Sequence, residues 1–450
     1  MKRVKVLNFL YWIVLLLLLA MAAWQFITFI NTWTLMDREQ TYTRTSQEYD
    51  SSEWMQPLYM VASSGRRQGR VSLVTTQTAF YQEAYDASWK LLRELLSAGS
   101  LQIDCITYAE AEDGNLFCRY AYESDRNTRM LEAACGLTEG ILDWEGEPFS
   151  FREIRIRPSG GLRTSPAICL TEAGQSRVLH IQTDMDLTEI SDTLDQKLLE
   201  ICDALGDPYL DSAYAFPGRF TTHLYLRDQD KPETVTPWRV RTIPITDQTE
   251  GLSAAAHFFD YTELIHAEKY GEDSWIFTDD RVSVRLSAAG IVDCVRTSVP
   301  TGTTLGIGEA YEIAMEYLKR DLRIDPTPLE YYLSQVEQTP KGYVFYWNYM
   351  KDGRPVQPDE TLLQENDMKS ALQIEVRGSQ VYRYRRWRFD VESSEIRIRV
   401  LQNSEIRIIN EWKALEWDQI LPVYRIENGE AVLYWQFSYK GRKRYERAAT

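Results

Sequence analysis

The chain has 450 residues, and its 66 acidic side chains against 50 basic ones give a formal charge of −16. Proteins that neutralise phosphates present a basic face, so this balance argues against nucleic acid as a partner and against broad affinity for anionic polymers. At roughly 100–200 residues per domain the length accommodates two to four folded domains.

The first thirty residues stand apart. Lys2, Arg3 and Lys5 are followed by no Asp, Glu, Lys, Arg or His until Asp37. Leu7–Ile30 is almost entirely apolar and makes roughly 36 Å of helix at about 1.5 Å per residue. That crosses a hydrocarbon core of roughly 30 Å with some tilt. Basic residues stay on the cytoplasmic side, which places the remainder of the chain outside the cell membrane. A cleaved signal peptide is the competing reading, since Ala20-Met21-Ala22 looks like a cleavage site. The apolar run continues past it through Trp24, Phe26, Ile27, Phe29 and Ile30, which favours a retained anchor. Ala20, Ala22 and Ala23 form the narrowest side of the span, where a partner helix could approach closely. Residues 31–55 read as a polar linker.

From 56 to 235 an α+β domain is expected. Pro57–Ala62 and Arg70–Thr75 read as strands around the SSGRRQG turn. Tyr81, Tyr85, Ser88, Leu92 and Leu95 form one helical stripe, with Gly99 placed to act as its C-terminal glycine. Strands follow near 101–108 and 115–122. In FREIRIRP, Ile154 and Ile156 face one way and Arg155 and Arg157 the other, the mark of a half-buried strand. Arg177–Gln182 is another strand. Leu187, Ile190, Leu194, Leu198, Ile201 and Leu205 predict a second helix, ended by Gly206 and Pro208.

A middle β-rich domain is expected over 236–299, with a strand at Trp238–Ile245, a short helix or turn from Ala254, and two or three strands over 275–298. A third domain over 300–450 opens on the helix EAYEIAMEYLKRDL, with Tyr311, Ala314, Leu318 and Leu322 on one face. Strands follow at GYVFYWNYM and ALQIEVRGSQVYRYRRWRF, joined by a DGRP turn. NEWKALEWDQ looks helical, and the last hairpin turns at Asn428-Gly429. The whole reads as a transmembrane helix followed by about three extracytoplasmic domains of antiparallel sheet with packed helices.

No catalytic constellation emerges. The histidines are His180, His223, His257 and His266, and none belongs to an HExxH pair. No GxSxG elbow is present. Gly302, Gly306 and Gly308 precede a helix, but their spacing fits neither the P-loop nor the dinucleotide fingerprint. Asp279 and Asp280 are adjacent and so point to opposite faces of a strand, unlike the facing carboxylates of acid–base catalysis. The six cysteines, Cys105, Cys118, Cys135, Cys169, Cys202 and Cys294, show no metal-type spacing. Cys105 and Cys118 could oppose each other on paired strands, or most of the six are small buried hydrophobes. No cofactor or metal site is therefore expected. Two basic clusters remain: Arg66, Arg67 and Arg70, and a run in which Arg383, Arg385, Arg386 and Arg388 alternate with Tyr382, Tyr384, Trp387 and Phe389. Tyr382, Tyr384, Arg386, Trp387 and Arg388 are a candidate protein-contact surface; a solvated strand face with stacked side chains is the plainer alternative.

Three stretches carry a family resemblance. The first is PLYMVASSGRRQGRVSLV with the helix YQEAYDASWKLLREL. The second is HFFDYTELIHAEKYGEDSWIFTDDRVSVRLSAAGIVDCV, in which Phe258, Asp260, Thr278 and Asp279 match a Phe, Asp and Thr-Asp pattern. The third is EAYEIAMEYL with GYVFYWNYMKDGRPV and ALQIEVRGSQVYRY. In their order these segments resemble the YycH-type regulatory proteins of Gram-positive bacteria, and the third is similar to YycI and loosely to PepSY-type domains. The resemblance implies a single-pass, non-enzymatic regulator of a sensor histidine kinase that governs cell-wall metabolism. It further implies a YycI-type companion and contacts between the membrane helix and those of the kinase. A tethered PepSY-like binding or protease-inhibitor module at the cell surface is the alternative.

Overall fold

The computed structural model describes residues 53–63, 70–108, 117–158, 165–173, 177–206, 209–211, 225–227, 234–245, 247–260, 262–271, 274–297, 305–400, 419–439 and 442–448. Among these residues the fold is α+β and mainly antiparallel sheet. No helix among them is long and apolar enough to cross a membrane. The span expected over Leu7–Ile30, with Ala20, Ala22 and Ala23, lies outside the described residues, as do Arg66, Arg67, Gly302 and nearly all of NEWKALEWDQ.

The first sheet has nine strands: β1 (Tyr59–Ser63), β2 (Arg70–Val74), β3 (Leu101–Ile106), β4 (Phe117–Asn127), β5 (Ser150–Arg157), β6 (Ala167–Thr171), β7 (Val178–Thr183), β8 (Tyr209–Asp211) and β9 (Tyr225–Arg227). They lie in the order β3-β7-β6-β5-β4-β1-β2-β8-β9. Cys105 on β3 and Cys118 on β4 are thus separated by three strands, which corrects the pairing considered from sequence. The described cysteines form no disulfide, and burial pushes the thiols of Cys118, Cys135 and Cys294 up to about 12.

Helices α1 (Tyr81–Leu96) and α3 (Thr188–Leu205) pack on each other, and α3 rests on β1 and β2. The predicted stripe of α1 is buried along its length. Ser88 in that stripe shares a 2.7 Å hydrogen bond with the Tyr120 hydroxyl of β4, so a polar residue in the apolar face has its partner in the sheet. Gly206 closes α3 in the left-handed conformation as its position predicts, whereas α1 already ends at Ser97, short of Gly99. A short helix, α2 (Thr128–Cys135), follows β4. Asn127 caps it by accepting from the Met130 amide, and Gly136 closes it at φ 69°.

After the pair β10 (Thr234–Val235) and β22 (Ile398–Arg399), a fourteen-stranded sheet takes in the rest. Its strands are β11 (Trp238–Thr242), β12 (His266–Tyr270), β13 (Ser274–Thr278), β14 (Val282–Ser287), β15 (Ile291–Arg296), β16 (Glu330–Thr339), β17 (Gly342–Lys351), β18 (Arg354–Gln357), β19 (Leu372–Arg377), β20 (Gln380–Trp387), β21 (Phe389–Ser393), β23 (Gln419–Glu427), β24 (Glu430–Tyr439) and β25 (Arg442–Arg447). The strands of 236–299 and those after 330 are therefore hydrogen-bonded in one sheet, with β15 joined to β20. All pairs are antiparallel except β18–β23. The hairpin turns follow local chemistry. Asp352-Gly353 and Asn428-Gly429 both take positive φ at both positions, the type I′ geometry of two-residue hairpins.

The other helices are α4 (Gln248–Ala255), α5 (Ile307–Ile324) and α6 (Glu360–Glu365). Asp247 starts α4 by accepting from the Glu250 amide, several residues before the turn expected at Ala254. The α5 stripe covers one face of β17, β19 and β20, and its Tyr311 packs on Phe345 and Trp347. β4 meets this sheet along β16, and from β17 Asn348, which alternates with the α5-facing Trp347, reaches Glu123 of β4. That junction is sealed by the apolar cluster of Leu58, Met350, Leu421 and Val423.

Candidate functional site

The Arg–aromatic run of β20 sits between β15 and β19, with α5 over one face, so most of its side chains are enclosed. Tyr384, Arg386 and Trp387 are all buried. Tyr384 and Arg386 converge on Asp321 of α5, which is 2% exposed. The Tyr384 hydroxyl donates to Asp321, and the Arg386 Nε lies 3.0 Å from it. His257 donates from Nε2 at 2.7 Å. Arg386 and Arg388 also hold Asp325, one turn on, with Arg388 at 2.5 Å. On the other face, Arg383 grips Asp293 with two bonds of 2.9 and 2.7 Å. Tyr382 is half-buried beneath the Arg377 guanidinium, 3.4 Å from its ring centre. Of the contact surface expected at Tyr382, Tyr384, Arg386, Trp387 and Arg388, the structure therefore buries Tyr384 and Arg386 in an ion network under α5 and Trp387 in the apolar core, and leaves Tyr382 and Arg388 half-buried.

The residues behind the family pattern are structural too. Phe258 is buried between His257, Tyr317 and Tyr384. The Asp279 carboxylate accepts from the amides of Arg281 and Val282 at 2.7 and 2.6 Å, and the Thr278 hydroxyl donates to the Val282 carbonyl. Together they shape the turn between β13 and β14, as an Asx-turn does. Asp260 lies 4.0 Å from Arg281, and both are exposed. Among the described residues no three His, Cys, Asp or Glu side chains come together as metal ligands.

A second cluster begins with an interruption in β4. Its register against β5 jumps from Ala121 opposite Glu153 to Arg126 opposite Phe151. Four residues, Tyr122–Asp125, therefore stand against Arg152 alone, and such a bulge re-aims the side chains it carries. Asp125 stays with Arg152 at 2.8 Å. Glu123, Ser124 and Arg126 reach β16. That strand carries its own bulge at Ser334, where pairing with β17 shifts between Leu333 and Gln335. The Arg126 guanidinium donates to the Leu333 and Ser334 carbonyls at 2.8 and 3.2 Å, and Ser124 donates to the second. Two bulges thus meet and satisfy each other's polar groups.

A polar cleft of about 260 Å³ opens beside this joint. Its walls come from β4 and β5, from β16 and β17, from the segment before β19, and from β24 and β25. Glu123 is the central anion, with its side chain 10% exposed. It accepts from Tyr332 at 2.7 Å, from Lys443 at 2.9 Å and from Asn348 at 3.5 Å. Burial alone would raise its carboxyl, but the Lys443 charge and these hydrogen bonds outweigh it and hold Glu123 below the ordinary carboxylate value. Burial and the Arg152 charge both oppose the Lys443 ammonium, and Glu123 reverses them, so Lys443 is raised. Lys369 stands at the mouth, paired with Glu337 at 2.8 Å. None of this cluster was singled out from sequence. The signal lay in Glu123-Ser124-Asp125-Arg126, a polar run that breaks strand alternation.

No family model matches the chain. No curated protein matches it either. Among solved structures its fold is similar to the crystal structure of YycH from Bacillus subtilis. The TM-score is 0.53 and the identity 14%, over 88% of this chain and 96% of that one. The likeness is one of fold: the chain has a YycH-like fold.

Proposed function

We propose that this chain is a membrane-anchored, non-enzymatic accessory regulator that adjusts a sensor histidine kinase of cell-wall metabolism from outside the membrane. The observation that carries the reading is the fold likeness to YycH over nearly the full length of both chains. The segment order read from the sequence supports the same class. In this reading Leu7–Ile30 spans the membrane with its basic end in the cytoplasm. Its Ala20–Ala23 side meets the kinase's membrane helices, and the domains outside pair with a YycI-type companion. A single helix biases a kinase only by binding two states of its helix bundle unequally, and roughly 1–3 kcal/mol is the usual scale of such coupling.

Co-purification of the full chain with the kinase and the companion in mild detergent is the first expected result, and its failure removes the mechanism. Exchanging Leu7–Ile30 for an unrelated membrane helix should abolish regulation while the outer part stays folded. Unchanged kinase output after that exchange overturns the role of the helix. A soluble form starting at residue 53 that retains full activity would instead support the tethered PepSY-like binding module.

A further inference from the structure

Three cations from three separate segments converge on the cleft: Arg152 from β5, Lys369 from the loop before β19, and Lys443 from β25. Each is held by a carboxylate, respectively Asp125, Glu337 and Glu123. Of those carboxylates Glu123 alone lines the cleft, so the lining carries three positive charges and one negative. Counted with Asp125 and Glu337 the cluster is balanced, but the lining itself is richer in cations than the chain as a whole, whose net charge is −16. Arg152 and Lys443 line the same cleft, and the Arg152 charge disfavours the Lys443 ammonium, though less than Glu123 favours it. A second anion placed between the two cations would be attracted by both.

The remaining wall is chemically narrow. No aliphatic side chain lines the cleft, and Tyr346 offers its sole aromatic surface. Hydroxyls come from serines on both sides, and amides from Gln335 and Asn348. The buried Ser334 and Ser370 hydroxyls donate to the backbone carbonyls of Tyr346 and Leu372 at 3.0 and 2.7 Å. Their lone pairs are thereby left to accept from hydroxyls of a ligand. A cation is disfavoured, because Glu123 already accepts from three donors. An apolar ligand has only the Tyr346 ring and the stems of polar side chains to bury against. The volume of about 260 Å³ greatly exceeds the space one water needs and lies just under the range of small-molecule pockets, roughly 300–1,000 Å³.

We propose that this cleft binds a small, hydroxyl-rich organic anion of the sugar-acid or sugar-phosphate class. Its carboxylate or phosphate sits between Arg152 and Lys443, its hydroxyls meet the serines and amides, and Lys369 guards the mouth. The proposal does not depend on the regulatory reading above.

The test is calorimetry and thermal melting of the full chain in mild detergent with glucuronate, glucose 6-phosphate, glucose and inorganic phosphate, each against matched sodium chloride. Glucuronate or glucose 6-phosphate should bind and raise the melting temperature, less so as salt increases. Whichever binds more tightly identifies the head group. Glucose should not bind. Arg152→Ala and Lys369→Ala should each weaken binding about tenfold or more. Lys369 is 63% exposed, so its removal leaves the fold intact and keeps the test readable if Arg152→Ala is unstable. Binding of neither sugar anion above the salt control overturns the proposal. So does equal binding of glucose, equal binding of bare phosphate, or unchanged affinity in the Lys369→Ala variant.

Discussion

Two carboxylates organise two polar clusters in this molecule, and they are built differently. Asp321 is enclosed by Tyr384, Arg386 and His257 under α5, with a side-chain exposure of 2%. Glu123 has as many donors but stands in the wall of a cleft, and its cation Lys443 is 37% exposed. Burial makes an ion pair unforgiving: each charge has lost its water, and only the partner replaces it. A pair with one ion partly exposed to solvent depends less on its partner, because water can replace part of that contact. The first cluster therefore holds α5 to the sheet, and the second borders a cleft that is open to its surroundings.

The largest expected effect lies in the buried cluster. Arg386→Met removes the cation from Asp321 and one of two cations from Asp325. It leaves a buried carboxylate with hydrogen bonds but no adjacent guanidinium, and should cost about 3–5 kcal/mol in denaturant unfolding. The double variant Arg386→Met with Asp321→Asn should recover part of that loss, since it discharges the stranded carboxylate. If the single variant costs under about 1 kcal/mol, Asp321 is no more committed to its partner than Glu123, and the contrast fails.

Glu123→Gln addresses the second cluster and should cost about 1–2 kcal/mol at pH 7, because the amide keeps a hydrogen bond but loses the charge that Lys443 faces. The folded carboxyl is depressed relative to an unfolded value of about 4.3. Its contribution is thus fully present above that value and disappears as pH falls through the folded one. The stability difference between native chain and variant should be constant from pH 7 down to about 5 and then shrink with further acid. A difference that persists at low pH would mean that the substitution disturbs packing rather than charge.

These two clusters also show what the sequence could convey. The helices α1, α3 and α5 were legible because each buries one stripe, and 3.6-residue periodicity records that directly. The Asn428-Gly429 turn was legible because its backbone demands those residues. The alternation of Arg and aromatics in β20 was visible, but its meaning was not. The same pattern serves a solvated edge or a central strand, and only the pairing with β15 and β19 decides between them. The cleft was hidden for a further reason. Glu123 and Lys443 are 320 positions apart, and they meet only where two bulges bring β4 to β16; the polar run of β4 marks the first bulge, but nothing in it names the distant strand it meets. Local propensity carries no information about such a distant pairing.

The smallest expected effect is the sharpest test of the contrast. Lys369 and Glu337 pair at 2.8 Å, but their side chains are 63% and 40% exposed, and Tyr346 also donates to Glu337 at 2.9 Å. Exposed pairs contribute little, because water competes for both ions and ordering two long side chains costs entropy. Lys369→Ala should therefore change unfolding stability by no more than about 0.5 kcal/mol. The change should still be visible at Glu337. Its carboxyl is held low first by the Lys369 hydrogen bond and then by Tyr346, so removing the lysine should move its NMR titration upward toward the ordinary glutamate value. A titration that shifts while stability does not is the signature of a rim whose charges are free to serve something other than the fold. A loss above about 1.5 kcal/mol would place this pair with Asp321 instead, as part of the structural frame.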